Sequence, residues 1–337
     1  MKHRRSLSWL YLIDGYHLIL SAYLVLRLLI ASRWWWLGVL HTFALWLFAP
    51  VIVTVLLALI TRRWRRLALA SAFLLIALVR FAPLPIGHIT ASDRPHDLRV
   101  LTFNVWKENS QFGSSLDWVL AQDADVLILQ ELVESHLDHL PRILAQYPHQ
   151  TYVEGNVRVF SRYPFIESET VWIEDAQALR DGRLAVRTVV DVNGQAITIY
   201  GVHLSLPARD TPRYNLYTGI DDLDFILRYD EAARNQQIVN LAQRVQAETH
   251  PVIVAGDFNT SHTSPILGHL RAVGLRDAFR LVGRDWGMTW SHNPPTTPLI
   301  RIDYVWASPS LNPLRMQRGH FIGSDHLPLV VDYAFVP

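Results

Sequence analysis

The sequence predicts an α/β domain preceded by a helical membrane segment. Three observations carry the prediction. Long apolar stretches are confined to the first ninety residues. Short β-rich runs alternate with amphipathic patterns from Leu98 onward. Charge divides sharply between the two parts.

The charge division is easily overlooked, because the 337-residue chain has a net charge of only +1. Residues 1–92 carry ten basic side chains against Asp14 alone, which leaves 21 of the 31 basic and 29 of the 30 acidic residues to the rest. The second part is therefore net acidic by 8. There is no cysteine, which excludes a disulfide scaffold, a thiolate zinc site and a cysteine nucleophile. An oxidising compartment is compatible with this composition.

Apolar stretches run over about Leu10–Ile30, Trp35–Ile60 and Leu67–Ile86. Each approaches or exceeds the ~20 residues that cross a hydrocarbon core. Trp9, Tyr11, Trp34–Trp36 and Trp64 mark their ends, where aromatic rings favour the headgroup boundary. Residues 1–86 are thus expected to form a membrane domain with three transmembrane helices. Lys2, Arg4 and Arg5 precede the first, and Arg62, Arg63, Arg65 and Arg66 separate the second from the third. The positive-inside rule places both groups in the cytoplasm, so three crossings make the protein multi-pass and its C-terminal domain extracytoplasmic. Asp14, His17, Arg27, His41 and Arg80 fall within or near the spans, and Asp14 with Arg80 is a candidate pair. The polar residues 87–97 read as a linker, at most ~35 Å when extended.

Residues 98–337 read as one α/β domain. Strands are expected at Arg99–Asn104, Val126–Gln130, Val157–Ser161, Val186–Val192, Ala196–His203, Val252–Gly256, Tyr304–Ala307 and Leu329–Phe335. Helices are expected at Ser115–Gln122, Val133–Gln146, Glu231–Glu248 and Ser264–Ala272. Chemically capable residues stand where the strands end. Asn104 closes LRVLTFN, Glu131 closes DVLILQE, and His203 closes ITIYGVH. Asp257 and Asn259 close VIVAGDFN, Asp303 opens IDYVWAS, and Asp325 and His326 lie in GSDHLPLV. Strand ends of α/β sheets deliver groups from distant sequence to one cleft. Turn chemistry accounts for any one of these endings, but not for six together.

TFNVW, LQE, GVHLS, VAGDFN, the Trp of GMTW, RIDYVW and SDHLPLV occur in the order found in the endonuclease/exonuclease/phosphatase superfamily, which the whole region from Leu98 resembles. The resemblance implies the deoxyribonuclease-I-like fold, an α/β four-layer sandwich of two packed sheets flanked by helices. By the same resemblance Glu131 is the main ligand of a divalent metal, with Asn104 beside it and Asp325 contributing to the metal or its hydration shell. Asp257 and Asn259 handle the attacking water and the phosphate. His326 is the catalytic histidine, Asp303 orients it, and His203 matches the second histidine of the deoxyribonuclease and sphingomyelinase branches. Where some branches carry an acid two residues after the asparagine, this chain has Trp106, which removes a donor for a second metal. Arg234 and Gln237 match a recurrent R-x-x-Q pattern that braces the site.

The chemistry is coherent without the name. Phosphoester hydrolysis needs an activated water, charge stabilisation on phosphoryl oxygens and help for the leaving group. A hard cation, Mg2+ or Mn2+, prefers the oxygens that Glu131, Asn104 and Asp325 offer. A histidine paired with a carboxylate is held in one tautomer, and either His326 or Asp257 serves as base. Asn259 and His203 can donate to the oxygen that gains charge. His136, His139 and His149 are expected at the surface. The connection Leu206–Tyr229 is expected as a lid over substrate, a bilayer contact or a packed excursion.

An acidic domain without a basic run binds duplex nucleic acid poorly, so nucleic acid is a less favoured partner. Tethering brings headgroups to high effective concentration. The favoured partners are thus the lipid bilayer and a phosphorylated lipid or small phosphoester or pyrophosphate substrate. The layout is similar to that of membrane-tethered bacterial members linked to teicoplanin resistance. The alternatives are an extracytoplasmic nuclease and a non-catalytic membrane sensor on the same fold.

Overall fold

A computed structural model describes residues 8–31, 34–82, 95–151, 157–171, 185–208, 225–292 and 294–336. The chain divides into two compact units, one of residues 1–83 with 262–265, the other of residues 84–261 with 266–337.

In the first unit, helix Ser8–Leu29 turns Leu10, Ile13, His17 and Leu20 inward and Tyr11, Leu12, Leu18, Ile19 and Val25 outward. Both sets recur at helical spacing. The inward face carries its own polar ties: His17 Nε2 lies 3.2 Å from Thr54 Oγ1, and Tyr23 OH lies 3.0 Å from His41 Nδ1. The expectation of three transmembrane helices needs correction. Among the described residues one helix, Leu10–Leu29, is long and apolar enough to cross a membrane. A second exists only if Trp35–Thr42 and Ala44–Ile60, which meet at 72°, form one span. The chain leaves the helical path at Phe43 (φ −103°, ψ 21°). The third stretch begins as a 13-residue helix, Trp64–Ile76, and ends in a π-turn, Ala77–Phe81. Arg65, Arg66 and Arg80 clip its uncharged run. Asp14 pairs with Arg66 at 2.6 Å, not with the expected Arg80, because Arg66 offers two nitrogens to its two oxygens. Lys2, Arg4, Arg5, Arg33 and most of the linker 87–97 lie outside the described residues.

Among the described residues the second unit has twelve strands. In chain order they are β1 Leu98–Asn104, β2 Val126–Gln130, β3 His149–Gln150, β4 Val157–Ser161, β5 Phe165–Val171, β6 Ala185–Val192, β7 Gln195–His203, β8 Val252–Asp257, β9 Arg276–Asp277, β10 Asp303–Ala307, β11 Leu311–Arg318 and β12 Leu329–Phe335. They form two six-stranded mixed sheets, ordered β11-β12-β1-β2-β4-β3 and β5-β6-β7-β8-β10-β9.

Strand parity builds four layers. Leu98, Val100, Val126 and Ile128 of the first sheet pack against Ile197, Ile199, Ile253 and Ala255 of the second, forming the layer between sheets. The opposite parity, Leu101, Phe103, Leu127 and Leu129, packs under helix Phe112–Ala121 through Phe112, Leu116 and Val119. On the other side Tyr200, Val202, Val254 and Trp306 pack under helix Ala232–Ala247 through Ile238, Leu241 and Val245. Both faces of the central strands are thus apolar, as a strand buried on two sides requires. The sheets are tightly apposed at Gly201, where a Cβ would lie 2.9 Å from Ile128 Cγ2.

The expected strands are present with small shifts of boundary. β3, β5, β9 and β11 are additional, and all four are edge strands. β5 carries alternating exposed Glu167 and Glu169, and β11 carries Pro313, Arg315 and Arg318 with a register shift. The expected helix Val133–Gln146 is a 3-10 turn, Glu134–His139, followed by a short helix, Leu140–Leu144, with Pro141 in its first turn. Ser264–Ala272 divides similarly into Pro265–Leu267 and Gly268–Ala272.

Candidate active site

The site grows out of the parity of the second sheet. Asp257 is the last residue of β8. It stands directly opposite His203 on parallel β7 and Asp303 on antiparallel β10. Opposed residues present their side chains on one face. Ile253 and Ala255, of the same parity as Asp257, lie in the layer between the sheets. The row His203–Asp257–Asp303 is therefore the polar end of that apolar layer. In the other sheet Asn104 shares the parity of Leu98 and Val100, and it also closes the layer.

These side chains meet. Asn104 Nδ2 donates to Asp257 Oδ2 at 3.0 Å and to Glu131 Oε1 at 3.2 Å, and lies 3.4 Å from His326 Nε2. His203 Nε2 is 3.6 Å from Asp257 Oδ2 and 3.7 Å from Glu131 Oε1. His326 Nδ1 is 2.9 Å from Asp303 Oδ2, and its Nε2 is 3.6 Å from Asp257 Oδ2. Asn259 lies against Asp257, its Nδ2 3.4 Å from Oδ2. Its backbone N–H donates to Asp257 Oδ1 at 2.8 Å and its Nδ2 to Leu204 O at 2.8 Å, so it orients Asp257. Asp325 accepts from Trp290 Nε1 at 3.1 Å. Asn104 presents its N–H group to the cluster, while its Oδ1 accepts from Trp106 N at 3.0 Å. It therefore links two carboxylates, where the sequence suggested an oxygen ligand.

Burial and charge set the protonation. Burial raises Asp257 above the ordinary carboxylate range; His326 and His203 pull it down, and Asp303 pushes it further up. Burial opposes a charge on His326, but Asp303, Asp257 and Asp325 outweigh it and raise the imidazole well above the ordinary histidine range. The surrounding carboxylates thus favour the protonated form of His326, with Asp303 on the Nδ1 side.

Backbone strain gathers here. Trp106 (φ 61°), Glu131 (φ 57°) and Asn259 (φ 47°) adopt the left-handed region that side chains disfavour. Glu131 shows why. Strand parity would send it to the outer, helix-covered face, and the left-handed turn brings Oε1 back to Asn104. Lys107 N then holds Oε2 at 3.0 Å. Gly256 (φ 143°) admits no side chain, since a Cβ there would lie 2.0 Å from Val202 O.

Supporting residues brace the loops. Arg234 donates to Asn259 O at 2.6 Å and pairs with Glu231 at 2.7 Å, while Gln237 Oε1 accepts from Ser205 N at 2.9 Å. The R-x-x-Q pattern thus ties the turns after β7 and β8 to one helix. Ser324, Thr289 and Glu231 escaped the sequence reading. Ser324 Oγ joins Asn104 O, at 2.7 Å, to His326 N, at 3.0 Å. Thr289 Oγ1 accepts from the N–H groups of Ile302 and Asp303 at 3.2 Å each. Single hydroxyls in loops leave no periodic signal. His136, expected at the surface, is buried, because its ring stacks on Phe112 at 4.4 Å. His139 and His149 are half-buried. Most of the connection Leu206–Tyr229 lies outside the described residues.

A family model described as the Endonuclease/Exonuclease/phosphatase family matches residues 101–326. That span begins inside β1, ends on His326 and contains every member of the cluster. The chain belongs to the endonuclease/exonuclease/phosphatase family. Members of this family hydrolyse phosphoesters. Among curated proteins the chain is 28% identical over 268 residues to the uncharacterized protein YbhP of Escherichia coli, covering 68% of this chain and 94% of that protein. It is 26% identical over 266 residues to mouse Nocturnin, covering 65% of this chain and 57% of that protein. Solved structures share the fold. A family protein from Leptotrichia buccalis gives a TM-score of 0.54 at 19% identity, with 71% of this chain and 100% of that chain covered. The human Nocturnin catalytic domain with bound sulfate gives 0.52 at 23% identity, over 71% and 94%. D. rerio TDP2 complexed with a single-strand DNA product gives 0.54 at 18% identity, over 70% and 98%.

The family is generally divalent-metal dependent, and the donor set fits a hard cation. Two carboxylate oxygens, on Glu131 and Asp257, approach one imidazole nitrogen within 3.7 Å, a concentration of negative charge that a cation relieves. Proximity alone would choose Asp257, Asp303 and His326, whose donor atoms lie within 4.8 Å of one another. Asp303 and His326 are already joined to each other.

Proposed function

We propose that this chain is a membrane-associated, divalent-cation-dependent phosphoester hydrolase whose substrate is a lipid-linked or small phosphoester or pyrophosphate. The observation that carries this reading is the row His203–Asp257–Asp303 meeting Glu131 and His326 in one buried cluster. Glu131 would hold Mg2+ or Mn2+, with Asn104 beside it and Asp325 contributing to its hydration shell. When bound, such an ion withdraws charge from the phosphoryl oxygens.

The chain's own residues divide the remaining work. Asp257, made more basic by burial, takes the proton of the attacking water. Asn259 keeps its carboxylate aimed. His326, held protonated by Asp303, donates from Nε2 to the phosphoryl oxygen that gains charge, and His203 faces the same centre from the other side. We assign the base to Asp257 because burial makes its carboxylate more basic, while the carboxylates around His326 favour that residue's protonated form.

Membrane attachment rests on the outward apolar face of Ser8–Leu29. With the basic N-terminus in the cytoplasm, an odd number of crossings places the hydrolase outside; two crossings would leave it inside. A reporter fused after Pro337 decides between them. The similarity of layout to members linked to teicoplanin resistance favours a lipid-carrier pyrophosphate. The test is a panel of isoprenoid pyrophosphates, sphingomyelin, phosphatidylinositol phosphates, sugar phosphates and plasmid DNA, with the full chain in detergent and Mg2+. Turnover of a lipid phosphoester, abolished by EDTA, is expected. Cleavage of DNA alone would favour a nuclease, a reading to which the TDP2-like fold lends support. No turnover on any substrate would leave the non-catalytic sensor.

A further inference from the structure

A second site lies apart from the cluster. A cavity of about 300 Å³ opens between the segment 283–287 and strand β11. Its floor is apolar: Phe279, Met316 and Leu329, all part of the layer between the sheets. Its lining includes three arginines, Arg284, Arg315 and Arg318, against one acid, Asp285. This concentration of positive charge stands on a part of the chain that is net acidic by 8.

The three arginines are not equivalent. Arg318 is committed to the framework, pairing with Asp285 at 2.6 Å and donating to Met288 O at 2.8 Å. Arg315 donates to the neutral Gln317 Oε1 at 3.4 Å and approaches Asp332 at 3.9 Å, a carboxylate already held by Arg99 at 2.6 Å. Arg284 is exposed, and no ion pair among the described residues engages it. Two guanidinium groups therefore stand over an apolar floor with charge to spare. A guanidinium matches a phosphate or phosphonate through paired N–H donors. The floor rewards an attached apolar group at ~25 cal/mol per Å². At ~30 Å³ per water-sized group, the volume suits on the order of ten heavy atoms.

We propose that this cavity is an anion-binding site for a phosphate ester or phosphonate carrying an apolar group, separate from the hydrolytic centre. Arg284 and Arg315 take the anion, and Phe279, Met316 and Leu329 take the apolar part. The two segments that frame the cavity lead directly into the catalytic loops, one to Thr289 and Trp290, the other to Ser324 and His326. An occupant would thus sit at the root of both.

The inference does not depend on turnover, and its test reads binding alone. Hexylphosphonate, whose P–C bond is not hydrolysed, is titrated calorimetrically into the full chain in detergent with EDTA. Binding is expected, at least about tenfold tighter than methylphosphonate. The double variant Arg284→Ala/Arg315→Ala should weaken it at least tenfold, with the melting temperature unchanged. Asp257→Asn should leave it intact. Loss of binding in Asp257→Asn with retention in the arginine variant would place the ligand in the hydrolytic centre and overturn the proposal. Equal affinity for methyl- and hexylphosphonate with competition by a short oligonucleotide would also overturn it, pointing to a nucleic-acid contact. Vesicles containing phosphatidic acid, compared with phosphatidylcholine alone, then separate a lipid headgroup from a soluble organophosphate as the source.

Discussion

The two units solve opposite solvent problems with the same residue types. Of the exposed large apolar side chains among the described residues, 21 belong to residues 8–82 and only 6 to the second unit. In helix Ser8–Leu29 the apolar face looks outward, and His17 is turned in, paired with Thr54. In the sandwich the apolar residues are inside and polar ones end the layer as a buried row. A lipid surrounding, as proposed, would reward the first arrangement, as water rewards the second. Hydrophobicity alone therefore does not say which way a helix or strand faces; the surrounding medium does.

The sharpest way to break this contrast is at the polar end of the layer. Asp257→Asn and His326→Ala should each lower kcat by at least about 10²-fold while the fold melts normally. Loss of stability instead of rate would make the row a structural feature. The pH profile of kcat/KM sharpens the same point. Activity should fall on the acid side through an Asp257 inflection above the ordinary carboxylate range. It should fall again on the alkaline side, as His326 loses its proton well above the ordinary histidine value. A profile without the alkaline limb would make His326 the base.

The outward face of the first unit is tested by charge. Leu18→Arg, near the middle of the candidate span, should cost about 3 kcal/mol of membrane insertion, measured as the fraction integrated. Ile166→Arg, equally outward but on edge strand β5, should change the sandwich's stability by less than about 0.5 kcal/mol. Equal effects would remove the contrast. Between the sheets, Gly201→Val forces atoms against Ile128 and Val159 and should destabilise by about 2–3 kcal/mol, read as a lowered Tm.

A pH-dependent effect concerns a polar tie on the far side of the second sheet. Glu248 accepts from Arg187 at 2.6 Å, Tyr200 at 2.5 Å and Thr198 at 3.1 Å. Burial would raise its carboxyl, but Arg187 and the two hydroxyls hold it below the ordinary glutamate range. A lowered carboxyl stabilises the fold above its unfolded pKa, and this contribution disappears as pH falls through the lower folded value. Arg187→Ala should therefore cost about 2 kcal/mol near neutrality and progressively less below about pH 4.

Much of this was legible in the chain. Central strands announced themselves because both faces are apolar, as in Val126–Gln130 and Val252–Asp257. Edge strands did not: charges on β5 and a proline on β11 mask the pattern that pairing on one side still permits. The long helix Ala232–Ala247 was legible from its stripe, whereas the segment after Glu131 broke up around Pro141 in a way periodicity does not register. The three apolar stretches misled for a related reason. Composition measures length in residues, but a span requires one unbroken helix, and Phe43 and the arginines interrupt two of them.

Sequence by itself determined the strand order of the chemistry and, through a period of two, the face on which Asn104, His203, Asp257 and Asp303 emerge. The folded chain alone decided the rest. Glu131 has the wrong parity and joins the cluster only through a left-handed backbone turn. His326 arrives on a loop fastened by Ser324. Its proton is held by three carboxylates that are distant in sequence or fixed by that loop. Local pattern governs directions along a strand, whereas charge and proximity depend on which strands become neighbours.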